Sequence, residues 1–264
     1  MVDFAFIDSG TGGIPYLTHL IKNCPNASCV YVGDTVNFPY GEKSHEEIVK
    51  CVLNVAKKII DRFDPSIFVV ACNTMSVNTL DILREVFPKT QFIGTVPAIK
   101  LAAKISTKRR IGLLATKATV EHPYNIDLKN HFAADCQLIL RADPKLISFI
   151  EKESFTSSEE ECIKHIEPAV DFFKKNDCDT IILGCTHFLN LAELIQKVCG
   201  TQIKVVDSRD GVVKRCLSIY DSLDCKNKEL KEPCLFITGF SEQKDKTEYD
   251  VICQRFDLEW GGLL

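Results

Sequence analysis

The chain has 264 residues, 45% hydrophobic and 26% charged with only 10 prolines, which is room for about two domains of ~150 residues and excludes a disordered or fibrous protein. A net charge of −4 without blocks of like charge leaves no electrostatic footprint for nucleic acid, and the longest apolar runs are less than half the ~18 residues that would span a membrane. Thirteen cysteines, scattered singly and without a C-x-x-C, behind a start (MVDFAFID) that lacks a signal-peptide pattern, read as free thiols in a reducing cytoplasm.

Val2 to Ile7 is an apolar run that breaks at Asp8-Ser9-Gly10-Thr11-Gly12-Gly13, and Leu17, Leu20 and Ile21 then recur at helical spacing. This predicts strand, glycine-rich turn and helix, with N–H groups at the helix start suited to an anion. The glycines do not follow G-x-G-x-x-G, and no acidic residue stands at the expected place after a second strand to hold a ribose, which argues against a dinucleotide site. A plain tight turn explains the glycines but not Asp8 and Ser9 together. A second strand, Cys29 to Val32, leads to Gly33-Asp34 and a loop with Phe38-Pro39-Tyr40-Gly41, which offers a phenol and an unhindered backbone N–H. Ser44-x-x-Glu47 is a capping box for a helix with Ile48, Val52, Val55, Ile59 and Phe63 on its apolar face, and His45 reads as solvated.

Ile67 to Thr74, IFVVACNT, reads as a buried parallel strand that delivers Cys72, Asn73 and Thr74 to a sheet edge. A helix with Val77, Leu80 and Leu83 inward follows, then a strand from Gln91 to Gly94. The next helix is expected to end in a solvated basic cluster of Lys104, Lys108, Arg109 and Arg110. From Arg110 the pattern begins again. RIGLLATKAT lays Thr116 opposite Ser9, with Thr119 three residues on. A helix (Tyr124 to Phe132), a strand (Cys136 to Leu140), a loop from Asp143 to Glu151 and a helix opened by Thr156-Ser157-Ser158-Glu159 come next. Pro168 suggests a kink in that helix. Thr180 to His187, TIILGCTH, then delivers Cys185, Thr186 and His187 as the earlier strand delivered Cys72. The cysteines are 113 residues apart, and Asp64 and Asp177 precede them in matching register.

The expected fold is therefore α/β, two similar doubly wound domains with mainly parallel sheets and an active site in the cleft between them. Residues 1–97 with 209–264 form the first domain and 98–208 the second. A C-terminal helix, a charged loop through Lys231, a strand from Leu235 to Thr238 and a tail bearing Trp260 are expected to return to the first domain and cover it, Trp260 serving as a packing anchor or an oligomer contact.

Two thiols at equivalent strand ends suit removal of a proton from one face of a carbon and delivery to the other, which is racemisation or epimerisation. Asp8 and His187, titratable and at strand edges, are the candidates to move protons to and from the thiols, and Asn73, Thr74 and Thr186 suit stabilisation of developing charge. The other cysteines read as core thiols. A zinc site from Cys72, Cys185, His187 and Asp8 would lack every usual short ligand spacing.

With these motifs in hand, FIDSGTGG, GDTVNFPYG, ACNT, LLATKAT, LGCTHF, VDS and ITG, the chain resembles the cofactor-independent aspartate/glutamate racemase family over most of its length. The resemblance implies interconversion of L- and D-glutamate by a two-base thiol mechanism, with no cofactor, pyridoxal phosphate or metal. It further implies a supply of D-glutamate for peptidoglycan and a cytoplasmic homodimer with no nucleic acid or membrane partner. By the same matching Cys72 and Cys185 are the acid/base pair, Cys72 acting on the D and Cys185 on the L enantiomer. Asp8, Ser9, Tyr40, Gly41, Asn73, Thr74, Thr116, Thr119, Thr186 and His187 line the substrate, and Glu151 matches a loop carboxylate that assists His187. Met75 stands where the family has a small residue and Leu189-Asn190 where it often has Pro, departures expected to narrow the pocket and to alter the helix start beside Cys185. Readings left beside this one are a relative acting on aspartate or another small acid, a non-catalytic binding protein on the same fold, and a metal or redox protein.

Overall fold

The computed structural model describes residues 1–223, 232–240 and 245–264; Lys231, the expected end of a charged loop, lies outside them. The chain divides into two compact units, Met1–Thr95 with Arg209–Leu264, and Val96–Ser208.

In the first unit the order is β1 (Val2–Asp8), α1 (Ile14–Asn23), β2 (Cys29–Gly33), α2 (His45–Phe63), β3 (Pro65–Val70), α3 (Asn73–Val86) and β4 (Gln91–Gly94). The second runs α4 (Ile99–Ile105), β5 (Arg110–Ala115), α5 (Lys117–Glu121), α6 (Tyr124–Phe132), β6 (Gln137–Ala142), α7 (Pro144–Lys152), α8 (Glu159–Lys175), β7 (Thr180–Leu183), α9 (Ala192–Cys199) and β8 (Lys204–Val206). The chain then returns to the first unit through α10 (Arg209–Tyr220), β9 (Cys234–Ile237), α11 (Lys246–Phe256) and β10 (Glu259–Leu263).

Both sheets are parallel, ordered β10-β9-β2-β1-β3-β4 and β6-β5-β7-β8. Within the first lies β2-β1-β3-β4, the same order of first, second, third and fourth strand as the whole of the second. In that order the connections leave the first strand to one side and return on the other, so β1/β3 and β5/β7 are topological switch points, where ligands settle at the carboxyl ends of the strands. Parallel strands are covered on both faces, which is why β1, β3 and β7 read as nearly unbroken apolar runs and are buried almost throughout. The first core joins Ile7, Val32, Phe68 and Val70 from the strands to Ile48, Val52, Val55 and Ile59 from α2. The second joins Ile111, Leu113 and Ile182 to Ile99, Ala102 and Ala103 from α4.

Local chemistry sets the boundaries. Ser44 and Glu47 form the reciprocal capping box that starts α2. Asp64 and Asp177, in the left-handed region at φ 43° and 53°, close the chain ahead of β3 and β7. The 113-residue spacing seen in the sequence thus recurs as matched backbone geometry.

Several expectations are corrected. The segment from Asp143 to Glu151 is a helix rather than a loop: the Asp143 side chain accepts from the Leu146 N–H at 3.1 Å and Pro144 occupies the first turn, a favoured start. On α3 the buried face is Met75, Ser76, Thr79 and Leu83, while Val77 and Leu80 are only half-buried. The small polar residues turn inward because Ser76 Oγ accepts from the Thr95 N–H at 2.9 Å and donates to the Val70 carbonyl at 3.0 Å. Of the basic cluster only Lys104 lies on α4. Arg109 folds back to donate to the Ala103 and Ser106 carbonyls and pairs with Asp135, while Lys108 pairs with Asp177. His45 is exposed yet bonds Asn78 Oδ1 at 2.8 Å. The tail forms α11 and β10, so the C-terminal return extends the first sheet edge, and Trp260 stacks on Tyr249 with ring centroids 5.5 Å apart.

Candidate active site

Each unit presents a cysteine at its switch point by the same backbone device. In the first, Ile7 pairs with Val70, and the Ala71 N–H donates to the Ile7 carbonyl at 2.8 Å. In the second, Leu114 pairs with Leu183, and the Gly184 N–H donates to the Leu114 carbonyl at 2.7 Å. Cys72 and Cys185 come next, in extended conformations of φ/ψ −138°/123° and −131°/138°, each the cap of the helical segment that follows. Cys72 is 5% and Cys185 6% exposed.

The segments after the two cysteines differ. Behind Cys72 an α-helix begins at once, so Asn73 and Thr74 are the first turn of α3, both buried. Behind Cys185 comes a 3-10 turn, Thr186–Leu191, and α9 starts only at Ala192. Asn190, in that turn, has both amide heteroatoms buried and without a hydrogen-bond partner. Met75 is wholly buried in the core cluster that also holds Tyr40 and Cys72, so its extra bulk is taken up by packing.

In the second unit the site is a chain of three titratable groups. His187 Nδ1 lies 3.6 Å from Cys185 Sγ, and its Nε2 lies 3.1 Å from Glu151 Oε2. Imidazole and carboxylate are buried, at 1% and 4% exposure. Burial opposes a charge on the ring, but the hydrogen bonds with Cys185 and Glu151, and the charges of both, outweigh it and hold the His187 pKa well above its ordinary value. A protonated ring can donate to sulfur and carboxylate at once. Thr116 directly follows β5 as the cap of α5, and Thr119 lies within that helix. Thr116 Oγ1 caps α5 by accepting the Thr119 N–H at 3.1 Å and donates to Thr119 Oγ1 at 3.0 Å.

In the first unit Asp8 is the last residue of β1 and wholly buried. Its Oδ2 accepts from the Gly13 N–H at 2.9 Å and from the Tyr31 hydroxyl at 3.3 Å. Gly13 must be glycine here: a Cβ would stand 2.8 Å from the Ala71 carbonyl oxygen, so the glycine-rich turn packs directly on the backbone that carries Cys72. Ser9 is buried. Tyr40 and Gly41 open a short 3-10 turn, Tyr40–Glu42, and the Tyr40 hydroxyl donates to Asp34. Burial first, then the charge and hydrogen bond of Asp34, raise the Tyr40 pKa far above the ordinary phenol value, so the phenol keeps its proton. Asn73 Oδ1 is buried with no partner, an acceptor whose burial is costly unless a ligand or water meets it.

The structure thus gathers Asp8, Ser9, Tyr40, Gly41, Cys72, Asn73 and Thr74 in one unit and Thr116, Thr119, Glu151, Cys185, Thr186 and His187 in the other. Sequence reasoning missed Tyr31 and Asp34. The signal for Tyr31 was a tyrosine inside a wholly apolar strand, whose hydroxyl must find a partner. That for Asp34 was its match to Asp143, one residue past the second strand of each sheet. Among the described residues no group of three or more His, Cys, Asp or Glu is arranged to hold a metal ion, and no helix is long and apolar enough to cross a membrane.

Known proteins match this chain along nearly its whole length. A glutamate racemase of Treponema pallidum (strain Nichols) is 38% identical over 261 residues, covering 99% of this chain and 96% of that protein. One from Glaesserella parasuis is 36% identical over 243 residues, covering 91% and 90%. Among solved structures, Escherichia coli glutamate racemase in complex with L-glutamate and the activator UDP-MurNAc-Ala superposes with a TM-score of 0.88 at 29% identity, covering 100% of this chain and 98% of that one. The Francisella tularensis enzyme in complex with D-glutamate shares the fold, with a TM-score of 0.79 at 24% identity. The sequence profile of Asp/Glu/Hydantoin racemase matches residues 16–216, and the chain belongs to that family and is an isomerase.

Proposed function

We propose that the chain interconverts L- and D-glutamate, with Cys72 and Cys185 as the two bases acting on one α-carbon. The observation that carries this reading is the pair of buried cysteines with matching backbone geometry at the switch points of two sheets that share a four-strand order. The Treponema and Escherichia coli relatives support glutamate as substrate.

Cys185 takes the α-proton of L-glutamate as a thiolate, and Cys72 as a thiol delivers a proton to the other face; the D enantiomer runs the same steps in reverse. Making a thiolate at pH 7 from a thiol of ordinary pKa near 8.5 costs about 2 kcal/mol. His187, held protonated beside Cys185 and braced by Glu151, offsets that cost, and Asp8 moves protons at Cys72. The α-carbon is a far weaker acid than a thiol, so fixed donors and exclusion of water must supply the remainder. Ser9, Tyr40, Gly41, Asn73, Thr74, Thr116, Thr119 and Thr186 line the substrate in this reading, and the unpartnered Asn73 Oδ1 is a ready acceptor. The same reading makes the protein a cytoplasmic homodimer that supplies D-glutamate for peptidoglycan. The twelve described cysteines, all unbridged, suit a reducing compartment.

The test is to follow optical activity of L-glutamate and of L-aspartate with metal-stripped, reduced protein. Loss of rotation with glutamate is expected. No loss with either would sink the assignment, and loss with aspartate alone would move it to a sister racemase.

A further inference from the structure

Asp34, which the mechanism above does not use, is wholly buried one residue past β2. Three side chains converge on it with four hydrogen bonds, without a lysine or arginine among the described residues. Asn37 Nδ2 reaches its two oxygens at 3.0 and 2.9 Å, Thr238 Oγ1 donates at 2.8 Å, and the Tyr40 hydroxyl donates as well. Its own N–H donates to the Asp8 carbonyl at 2.8 Å.

Thr238 arrives from the C-terminal return, at the end of β9, and ties the same loop again: its Oγ1 accepts the Val36 N–H at 3.1 Å and its N–H donates to the Gly33 carbonyl at 3.0 Å. Thr35 and Gly239 add a reciprocal pair of bonds. The second unit repeats the arrangement with other partners. Asp143, one residue past β6, donates its N–H to the Ala115 carbonyl at 3.2 Å. Its carboxylate, held by Arg141 at 2.8 Å, starts the helix that carries Glu151 to His187. In each unit an aspartate at this point organises the segment that brings a side chain toward the cysteine: Tyr40, in the core cluster of Cys72, and Glu151.

Resting on the glutamate reading, we propose that Asp34, clamped by Thr238, is a positioning residue that fixes the Phe38–Gly41 loop and turns Tyr40 into a hydrogen-bond acceptor for the substrate ammonium. A hydroxyl has one proton. Once Tyr40 gives it to Asp34, its oxygen can only accept from a ligand, which suits an N–H donor and repels a carboxylate. The C-terminal return thereby sets the geometry of a loop 204 positions earlier in the chain.

The experiment compares Asp34→Asn, Tyr40→Phe, their double variant, Thr238→Val and Thr238→Ser. It reads amide hydrogen exchange of residues 38–42 without substrate, and KM and kcat for glutamate. Asp34→Asn replaces an oxygen with a donor at a point where only donors converge. Exchange is expected to quicken about tenfold in Asp34→Asn and Thr238→Val and to stay near wild type in Thr238→Ser. KM is expected to rise about tenfold in Asp34→Asn and Tyr40→Phe with kcat changed less than about threefold, the double variant being no worse than the worse single. Unchanged exchange, an unchanged KM in Asp34→Asn, or additive losses would overturn the proposal. If wild type fails to racemise glutamate, that reading falls while the exchange comparison still decides whether Asp34 positions the loop. The Thr238 pair decides the same point should Asp34→Asn not fold.

Discussion

Cys72 and Cys185 share a backbone conformation but differ in what surrounds the sulfur. Behind Cys72 a 14-residue α-helix starts at the next residue, so its N–H groups and dipole face the position. Behind Cys185 the short 3-10 turn offers a weaker dipole, and His187 brings positive charge to 3.6 Å instead. Replacing either cysteine with alanine should lower racemisation at least about a thousandfold, the scale lost when a residue of a catalytic unit is removed, while the circular dichroism stays native; near-normal turnover in either variant would refute the two-base scheme. His187 also has a stability signature. Its pKa is raised from the ordinary 6.5, so the folded state holds the proton more tightly than the unfolded. That contribution is complete below about pH 6.5 and is lost as pH rises through the folded-state value, at no more than about 1.4 kcal/mol per pH unit. Urea denaturation above pH 6.5 should therefore show a steeper fall for wild type than for His187→Gln, and parallel profiles would contradict the assignment. The cysteines, Asp8 and His187 were legible because they interrupt apolar runs. Tyr31 and Asp34 were not, because their partners, Gly10 and Gly13 for one and Thr238 for the other, come together only in the fold.

At the scale of elements, the strands were legible where burial on both faces writes a continuous apolar run, as in β1, β3 and β7. The helix α7 was not. Its nine residues carry Leu146, Ile147, Phe149 and Ile150 inward, a pattern too short to separate from a loop by periodicity alone, and Asp143-Pro144 was the cue that its start required. This helix presents Glu151 to His187, so its cap should matter to the site. Asp143→Ala removes the cap and should cost about 1 kcal/mol of stability and lower activity, read by thermal denaturation and kcat. No change in either would show that α7 stands without it. Gly13→Ala tests the first unit: with the Ala71 carbonyl 2.8 Å from the added Cβ, backbone beside Cys72 must shift, and a loss of about 1–3 kcal/mol is expected in denaturation. The face of α3 was misjudged because Ser76 and Thr79, polar in sequence, spend their hydroxyls on Val70 and Met75 carbonyls and so can turn inward where Val77 and Leu80 were expected.

At the scale of the whole molecule, the repeat of strand, helix and cysteine strand at a spacing of 113 residues became a four-strand order common to both sheets. The spacing was readable although few residues match, because sheet topology constrains the pattern of burial more than identity. The C-terminal return was harder to read: β10 contains Gly261 and Gly262 and has a register shift between Trp260 and Gly262, so it lacks the alternation or apolar run that marks a strand. Whether two thiols work on one carbon from two faces is decided by racemising L-glutamate in deuterium oxide and measuring deuterium at Cα early in the reaction, in the D-glutamate formed and in the L-glutamate left. Two bases predict deuterium in the product and nearly none in the remaining substrate. Comparable labelling of both enantiomers, or product that retains the original hydrogen, would point to a single base and contradict the account.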